Sequence, residues 1–388
     1  MFVFFLALPN LMGIESVGRF TFWYTVLLVI CQPLLDFSLS MIVVKYTARN
    51  ELAVVRRAFI FGLGFLPVLL LGLYIGAVLL PFPQHLIGLL LIYLGLSLSL
   101  NLIFSYFRGL EQLQVEGVIG SLHKMLGPTL LFAFFAMGYH EDWLPALAMA
   151  GMAGGGWVLL ATLYSGKIRS LFDALKYARS STRSALSMCR EGIALGGVGL
   201  VGLLYLRVDV VMLGTMVGPE EVGYYFTASK FVEAAFIAPH VLMLVVFPRL
   251  VKATDMRPLM RRMSWILGGL SLVALMGVLA LATWVIPFFY DPSLTRISTL
   301  MIVLAPTVMP VYLGYLFTQV LVVRDQQNRY LIIAFSGLLL NLVLNALLIP
   351  IYQGCGAAIS TLITELVITL SAVVTVFRTN PHPTSEIR

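Results

Sequence analysis

Long apolar runs separated by short polar loops constrain this 388-residue chain more than any other feature. A helix needs about 20 consecutive apolar residues to cross a bilayer core. Eleven stretches reach that length: 20–44, 59–80, 86–106, 117–138, 143–165, 192–216, 222–248, 263–289, 297–322, 330–350 and 354–377. Their apolarity is continuous and lacks the alternation of barrel strands, which indicates helices. With only 11% charged residues, a soluble domain is excluded, and an all-α polytopic membrane protein is predicted.

Residues 1–10 have the composition of the second half of a further span, which brings the expected total to about 12 transmembrane helices. This first helix is expected to be truncated. Either the native start lies upstream of Met1, or the chain is a fragment, or the helix is partial. The opening residues lack a positively charged n-region and a small-residue cleavage site, so they are not typical of a signal peptide.

Positive charge is concentrated in every second loop. Of the 25 Lys and Arg residues, 20 lie in one set of alternate loops, and only Arg19 and Arg296 lie in the opposite set. Because loops rich in Lys and Arg stay in the cytoplasm, the first set, called the basic side below, is predicted to be cytoplasmic, together with both termini. Its basic clusters are expected to contact membrane lipids. They form no patch on a soluble face, so no nucleic-acid partner is expected.

An internal repeat relates the two halves of the chain. With an offset of 205 residues, LMGIESVGRF at 11–20 aligns with MVGPEEVGYY at 216–225, which superposes a glycine, a glutamate and a valine-glycine pair. Two six-helix lobes around a central cavity are a known plan of transporters. We therefore expect an N-terminal six-helix lobe at 1–165, a basic cytoplasmic linker at 166–190, a C-terminal six-helix lobe at 191–378 and a cytoplasmic tail at 379–388.

Ionisable side chains inside the spans are the candidate functional residues, because a charge within a bilayer is costly. The candidates for substrate binding are Lys124, His123, Arg207 and Lys230. The candidates for ion coupling or a charge network are Asp36, Asp209, Glu233 and Glu365. The three cysteines are far apart and no catalytic spacing occurs. We therefore expect no metal site, no cofactor and no enzymatic activity.

Four of these residues flank one outer hairpin. If the chain folds back between residues 217 and 222, Asp209 lies level with Lys230, and Arg207 lies level with Glu233. Such pairs either neutralise one another and fix the hairpin, or border a hydrated cavity and exchange partners during transport. Lys230 and Glu233 are also three residues apart on one helix, so they can pair with each other.

Three candidates have no ionic partner that the sequence makes evident. Lys124 either meets an anionic substrate arriving from the cytoplasm, or extends its amine to the inner membrane interface. Asp36 and Glu365 either bind a proton or a sodium ion, or hydrogen-bond a neighbouring helix.

Two segments carry a family resemblance. In 207–250 the pattern is an aspartate, a leucine-glycine pair, glycine-x-glutamate-x-valine-glycine-x-tyrosine, an alanine and a phenylalanine-proline pair. In 341–365 it is two asparagines, a leucine-x-proline helix end, glycine-alanine-alanine and a glutamate. The residues that meet these patterns are Asp209, Leu213, Gly214, Gly218, Glu220, Val222, Gly223, Tyr225, Ala228, Phe247 and Pro248, then Asn341, Asn345, Leu348, Pro350, Gly356, Ala357, Ala358 and Glu365. The chain thus resembles the polysaccharide-biosynthesis and oligosaccharide flippases of the multidrug/oligosaccharidyl-lipid/polysaccharide exporter superfamily.

This resemblance implies export of a lipid-linked oligosaccharide, carried on polyprenyl pyrophosphate, across the bacterial inner membrane for O-antigen or exopolysaccharide synthesis. It also implies alternating access, coupling to H+ or Na+, and polysaccharide-assembly proteins as partners. Besides a non-transporting membrane scaffold, which would not need charges inside the membrane, two alternatives stay open. A cation-coupled drug exporter of the same superfamily would use lone acids such as Asp36 and Glu365. A membrane glycan polymerase or ligase would need a long external loop with catalytic Arg or His, and no such loop is evident in the sequence.

Overall fold

The structure is a computed structural model that describes residues 8–32, 39–79, 82–139, 141–177, 185–253, 255–291 and 294–378. These residues are almost wholly helical, and no strand occurs among them. Eleven helical segments within them are long and apolar enough to cross a membrane. The predicted fold class, an all-α polytopic membrane protein, is confirmed.

The helices of the described residues from Ile14 onward are labelled α1 to α16 in chain order. Those up to residue 216 are α1 (Ile14–Gln32), α2 (Met41–Ala48), α3 (Leu52–Leu79), α4 (Gln84–Gly109), α5 (Leu113–Ala136), α6 (Leu144–Leu163), α7 (Ser165–Tyr177) and α8 (Ala185–Met216). Those that follow are α9 (Pro219–Ala235), α10 (Ile237–Lys252), α11 (Arg257–Ala280), α12 (Ile286–Phe289), α13 (Thr295–Leu304), α14 (Val308–Val323), α15 (Gln327–Tyr352) and α16 (Gly354–Arg378).

The chain forms two compact units, Met1–Leu200 and Val201–Arg388. In the first unit α4 packs against α1, α2, α3, α5 and α6, so it is the central helix. Its contact with α2 is close, because a Cβ added at Gly109 would lie 2.8 Å from the carbonyl oxygen of Val44. The predicted lobe boundaries at 165 and 191 stay a prediction.

Helix α7 occupies the first part of the predicted linker. It is amphipathic, and its apolar residues Leu171 and Leu175 are buried in the core of the first unit. Lys167 donates a hydrogen bond to Oε1 of Gln112, in the loop between α4 and α5, at 2.8 Å. This part of the predicted linker is therefore an ordered helix packed against the first unit.

In the second unit α14 and α16 pack against each other and against most of the other helices. Besides the span in which α11 passes into α12 through a π-helix at Leu281–Val285, two spans in this unit are broken. One changes from α13 to α14 through a 3-10 turn at Ala305–Thr307, which contains Pro306. The other changes from α9 to α10 at Phe236.

A proline explains the break between α9 and α10. Pro239 has no N–H group to donate to the carbonyl four residues earlier, which belongs to Ala235. The hydroxyl of Tyr312, on α14, donates to that carbonyl oxygen instead, at 2.7 Å. Tyr312 is almost wholly buried, so this side chain satisfies a backbone group that the helix itself leaves unpaired.

The two units share a local feature that agrees with the internal repeat. Gly13 and Gly218 both have a positive φ, +80° and +136°, and each precedes a helix. In the first unit, Ser16 donates to Asp142, just before α6, at 2.5 Å. In the second, Glu221, the repeat equivalent of Ser16, accepts from the backbone N–H of Gly354 at the start of α16. In both units the helix that follows the positive-φ glycine is therefore tied to the start of a later span, α1 to α6 and α9 to α16.

Candidate functional site

The first unit contains a large cavity, of about 950 Å³, lined by polar and apolar residues of α1, α2, α4 and α5. Its polar lining includes Gln32, Ser40, Asn101, Arg108, Glu116 and Lys124. Tyr24 and Tyr93 line it as well. Ligand pockets for drug-sized molecules occupy about 300–1,000 Å³, so the cavity is large enough for a substantial headgroup.

Two predicted substrate-binding residues lie in this cavity wall. Lys124 is exposed, and within the described part of the chain it forms no ion pair. His123 is 9% exposed, and its Nδ1 lies 2.6 Å from the carbonyl oxygen of Ile119 on the same helix. Its ring lies against Gly156 of α6, where an added Cβ would come within 3.3 Å. His123 therefore packs α5 against α6, whereas Lys124 is accessible from the cavity.

Arg108 and Glu116 in the same cavity were not predicted as site residues. Arg108 Nε and Nη2 donate to the two carboxylate oxygens of Glu116, each at 2.6 Å. Arg108 Nη2 also donates to Oδ1 of Asn101 at 2.8 Å. The signal in the sequence was an Arg and a Glu on either side of the short 110–112 loop. This loop is predicted above only to lie on the basic side.

The second unit contains a small cavity, of about 60 Å³, at the level of several predicted charges. Four predicted residues line it: Arg207, Asp209, Glu233 and Glu365. Lys230 forms an ion pair with Glu233, three residues further along α9, which confirms the i,i+3 pairing. The Lys230 ammonium group also lies 4.9 Å from the ring centroid of Phe226, a favourable cation–π geometry.

Asp209 is the most completely hydrogen-bonded acid of this cavity. It is 7% exposed. Its Oδ2 accepts from the Tyr225 hydroxyl at 2.7 Å and from Thr361 Oγ1 at 2.9 Å, and its Oδ1 accepts from Asn345 Nδ2 at 2.6 Å. Asn345 Nδ2 also donates to Asn341 Oδ1 at 2.9 Å. Oxygen and amide groups from α9, α15 and α16 thus surround one carboxylate.

The predicted pairing of Asp209 with Lys230 is wrong, and the position of the turn explains why. Helix α9 begins at Pro219, so the chain folds back at 217–218 rather than midway between 217 and 222. Lys230 therefore lies about four residues, or roughly 6 Å along the helix, deeper than Asp209. Tyr225 lies close to the level of Asp209 and forms the contact.

The predicted Arg207–Glu233 ion pair does not occur among the described residues either, although both side chains line the small cavity. Arg207 Nε is buried and has no hydrogen-bond partner within the described part of the chain. Glu365 accepts a hydrogen bond from the Tyr205 hydroxyl at 2.9 Å. Asp36, the remaining candidate, lies outside the described residues.

Sequence reasoning missed several partners of Asp209. Asn341 and Asn345 appeared only as part of a family pattern, although two amides four residues apart in an apolar span indicate a polar helix face. Thr361 is followed four residues later by Glu365 on the same face of α16, which was a comparable signal.

Membrane-spanning helices in two units, each with a cavity whose lining includes ionisable residues, define a multi-pass membrane transporter. The sequence profile of the polysaccharide biosynthesis protein family matches residues 1–254. The chain belongs to this family, as the motifs around Asp209 indicated. No curated protein matches the chain.

Solved structures with the same fold come from the MOP superfamily. An inward-facing multidrug resistance MATE family transporter is 13% identical, with a TM-score of 0.72, over 97% of this chain and 94% of that one. The Vibrio cholerae MATE transporter VcmN in the bent form is 14% identical, with a TM-score of 0.63, over 97% and 91%. The lipid II flippase MurJ is 12% identical, with a TM-score of 0.61, over 97% and 88%. At such identities the similarity shows the fold alone.

Proposed function

We propose that the protein carries a polyprenyl-pyrophosphate-linked oligosaccharide from the cytoplasmic to the outer leaflet of the bacterial inner membrane, for O-antigen or exopolysaccharide synthesis. The observation that carries this proposal is the cavity of about 950 Å³, with the exposed amine of Lys124 on its wall. A pyrophosphate group needs cationic partners away from bulk water. The family and the fold shared with a lipid II flippase support the same class of substrate.

The orientation that we propose suits this direction of transport. The 20 basic residues of alternate loops make their side of the membrane cytoplasmic, with both termini there. The membrane potential, negative inside, then favours outward movement of an anionic headgroup by about 2.3 kcal/mol per charge per 100 mV. Alternating access moves the headgroup without making or breaking a covalent bond, so the proposal requires no catalytic residue and no cofactor.

The small cavity of the second unit supports a coupling role for H+ or Na+. At about 60 Å³, it is far below the 300–1,000 Å³ of pockets for drug-sized ligands. Asp209 is a buried acid surrounded by oxygen and amide groups, and intramembrane acids of this kind mark ion pathways. Glu365 and Arg207 line the same space and complete the proposed coupling site.

A cation-coupled drug exporter is the second candidate, because MATE drug transporters share the fold. Of the two acids named for that alternative, Glu365 lines a cavity of about 60 Å³, which is too small for a drug, and Asp36 lies outside the described residues. The larger cavity has Lys124 and Arg108 in its wall, with Glu116 paired to Arg108. Among the described residues, this distribution of charge favours an anionic substrate.

Substitutions of Lys124 test the proposed function. In a strain whose surface glycan depends on this protein, Lys124→Ala should abolish export at an unchanged protein level in the membrane. Lys124→Arg should retain part of the activity, because the charge persists in a different shape. Lys124→Glu should be inactive, because it places a negative charge against the phosphates.

Lys252→Glu provides the matched control. Lys252 is exposed in the last turn of α10, away from both cavities, so this variant should export normally. Normal glycan export by Lys124→Glu would refute the assignment of Lys124 and leave the proposal without its main support.

A further inference from the structure

A bidentate ion pair joins the helices at the end of the large cavity that faces the basic side. Arg108 lies in the last turn of α4, and Glu116 lies in the first turn of α5. Two guanidinium nitrogens of Arg108 each donate to one carboxylate oxygen of Glu116 at 2.6 Å. The pair thus bridges the short loop at 110–112.

This geometry is the one by which arginine binds phosphate. Carboxylate and phosphate both present two oxygens at a spacing that matches two parallel N–H groups of guanidinium. Glu116 therefore occupies the donors of Arg108 that a phosphate in the cavity would use. Asn101 accepts a further hydrogen bond from Nη2 at 2.8 Å, and this bond orients the guanidinium group toward the cavity-lining face of α4.

The pair is accessible and can be exchanged. The side chains of Arg108 and Glu116 are 33% and 34% exposed, and both line the cavity. Water reaches both partners and screens the pair, which lowers the cost of exchanging one anionic partner of Arg108 for another. A pyrophosphate group, which carries more charge than a carboxylate, can therefore displace Glu116 from Arg108.

The second cation of the cavity lies deeper. Lys124 is eight residues beyond Glu116 on α5, which corresponds to about 12 Å along the helix. Arg108 at the rim and Lys124 further in thus form two cationic positions along one wall. A headgroup that enters from the basic side reaches Arg108 first.

We propose that Glu116 is a built-in competitor for the substrate phosphate at Arg108, and that headgroup binding exchanges the Arg108–Glu116 pair for an Arg108–pyrophosphate pair. This inference rests on the proposed function and adds a second phosphate-binding residue to it. Releasing Glu116 also removes the ionic link between α4 and α5. The exchange therefore couples substrate binding to relative movement of these two helices.

The test is the binding of farnesyl pyrophosphate to the purified full-length chain in detergent, with farnesol as the ligand that lacks phosphate. Glu116→Gln keeps the shape of the side chain and removes its charge, so it should tighten binding about two- to fivefold. Arg108→Gln should weaken binding about tenfold or more. The double variant should bind as weakly as Arg108→Gln, because the gain from Glu116→Gln requires Arg108.

Glu111→Gln is the matched control, because it changes the net charge equally at an exposed position of the same loop; it should leave binding unchanged. If Arg108→Gln fails to fold, Arg108→Lys takes its place, since it keeps the charge and loses the bidentate fork. Equal affinities of the parent and Glu116→Gln, or an equal gain with Glu111→Gln, would overturn the inference and leave the proposed function standing. A parent chain that binds farnesyl pyrophosphate no better than farnesol would refute both.

Discussion

Removing the carboxylate of Glu221 should destabilise the second unit. This side chain is 9% exposed and joins three helices near the ends that lie opposite the basic side. Its Oε1 accepts from the backbone N–H of Gly354, at the start of α16, at 2.9 Å, and from Nη2 of Arg296, on α13, at 2.8 Å. A Cβ added at Gly354 would lie only 2.6 Å from the same oxygen, so the carboxylate is tightly enclosed.

The expected loss in the free energy of unfolding follows from the groups that each substitution leaves without a hydrogen-bond partner. A hydrogen bond to a charged group contributes about 1.5–3 kcal/mol, which applies to the buried Gly354 N–H. The pair with Arg296, whose side chain is 33% exposed, is discounted to about 0.5–1 kcal/mol because water screens it. Glu221→Ala should therefore cost about 2–4 kcal/mol. Glu221→Gln retains an acceptor for Gly354 and should cost about 1 kcal/mol.

Thermal unfolding of the purified protein in detergent measures this difference. At about 2–4 °C per kcal/mol for a unit of this size, Glu221→Ala should lower the melting temperature by roughly 5–15 °C, and Glu221→Gln by a few degrees. The neighbouring Glu220 is exposed, so Glu220→Ala is the matched control and should have little effect. A melting temperature for Glu221→Ala equal to that of Glu220→Ala would refute the reasoning.

Two further predictions concern orientation and coupling. Reporter fusions within 166–190 and 250–262 should report a cytoplasmic location and fusions within 217–222 an external one; an external 166–190 segment would contradict the orientation. Asp209→Asn should abolish glycan export driven by a Na+ or proton gradient, because it removes the titratable carboxyl group that Tyr225, Asn345 and Thr361 hydrogen-bond. Export that still follows the gradient in this variant would exclude Asp209 as the coupling acid.

The eleven full membrane spans within the described residues, and their helical type, could be predicted from the sequence, because the length of an apolar run determines whether a helix can cross a bilayer. Their ends could not. The predicted span 222–248 extends in the structure over Pro219–Lys252. Polar residues of the last turns remain helical because the backbone, not the side chain, makes the helical hydrogen bonds.

The partners of the buried charges were harder to predict than the charges themselves. The centre of one turn lies two residues earlier in the chain than predicted. The residue of α9 that lies level with Asp209 is therefore close to Tyr225 rather than Lys230. Contacts from distant helices, such as the one with Asn345, depend on how each helix is rotated about its axis. In a span that is apolar on nearly all sides, the sequence carries little information about that rotation.

The bond between Tyr312 and Ala235 has a consequence for the evolution of this family. Pro239 leaves the Ala235 carbonyl without a helical donor, and the hydroxyl of Tyr312 on α14 donates the hydrogen bond instead. A lineage that loses the hydroxyl leaves a backbone oxygen unpaired in a dry environment, whereas a lineage that also loses the proline recovers an ordinary helical bond. The two positions should therefore co-vary: relatives with a proline equivalent to Pro239 should keep a donor equivalent to Tyr312, and relatives with a continuous helix should be free to place an apolar side chain there.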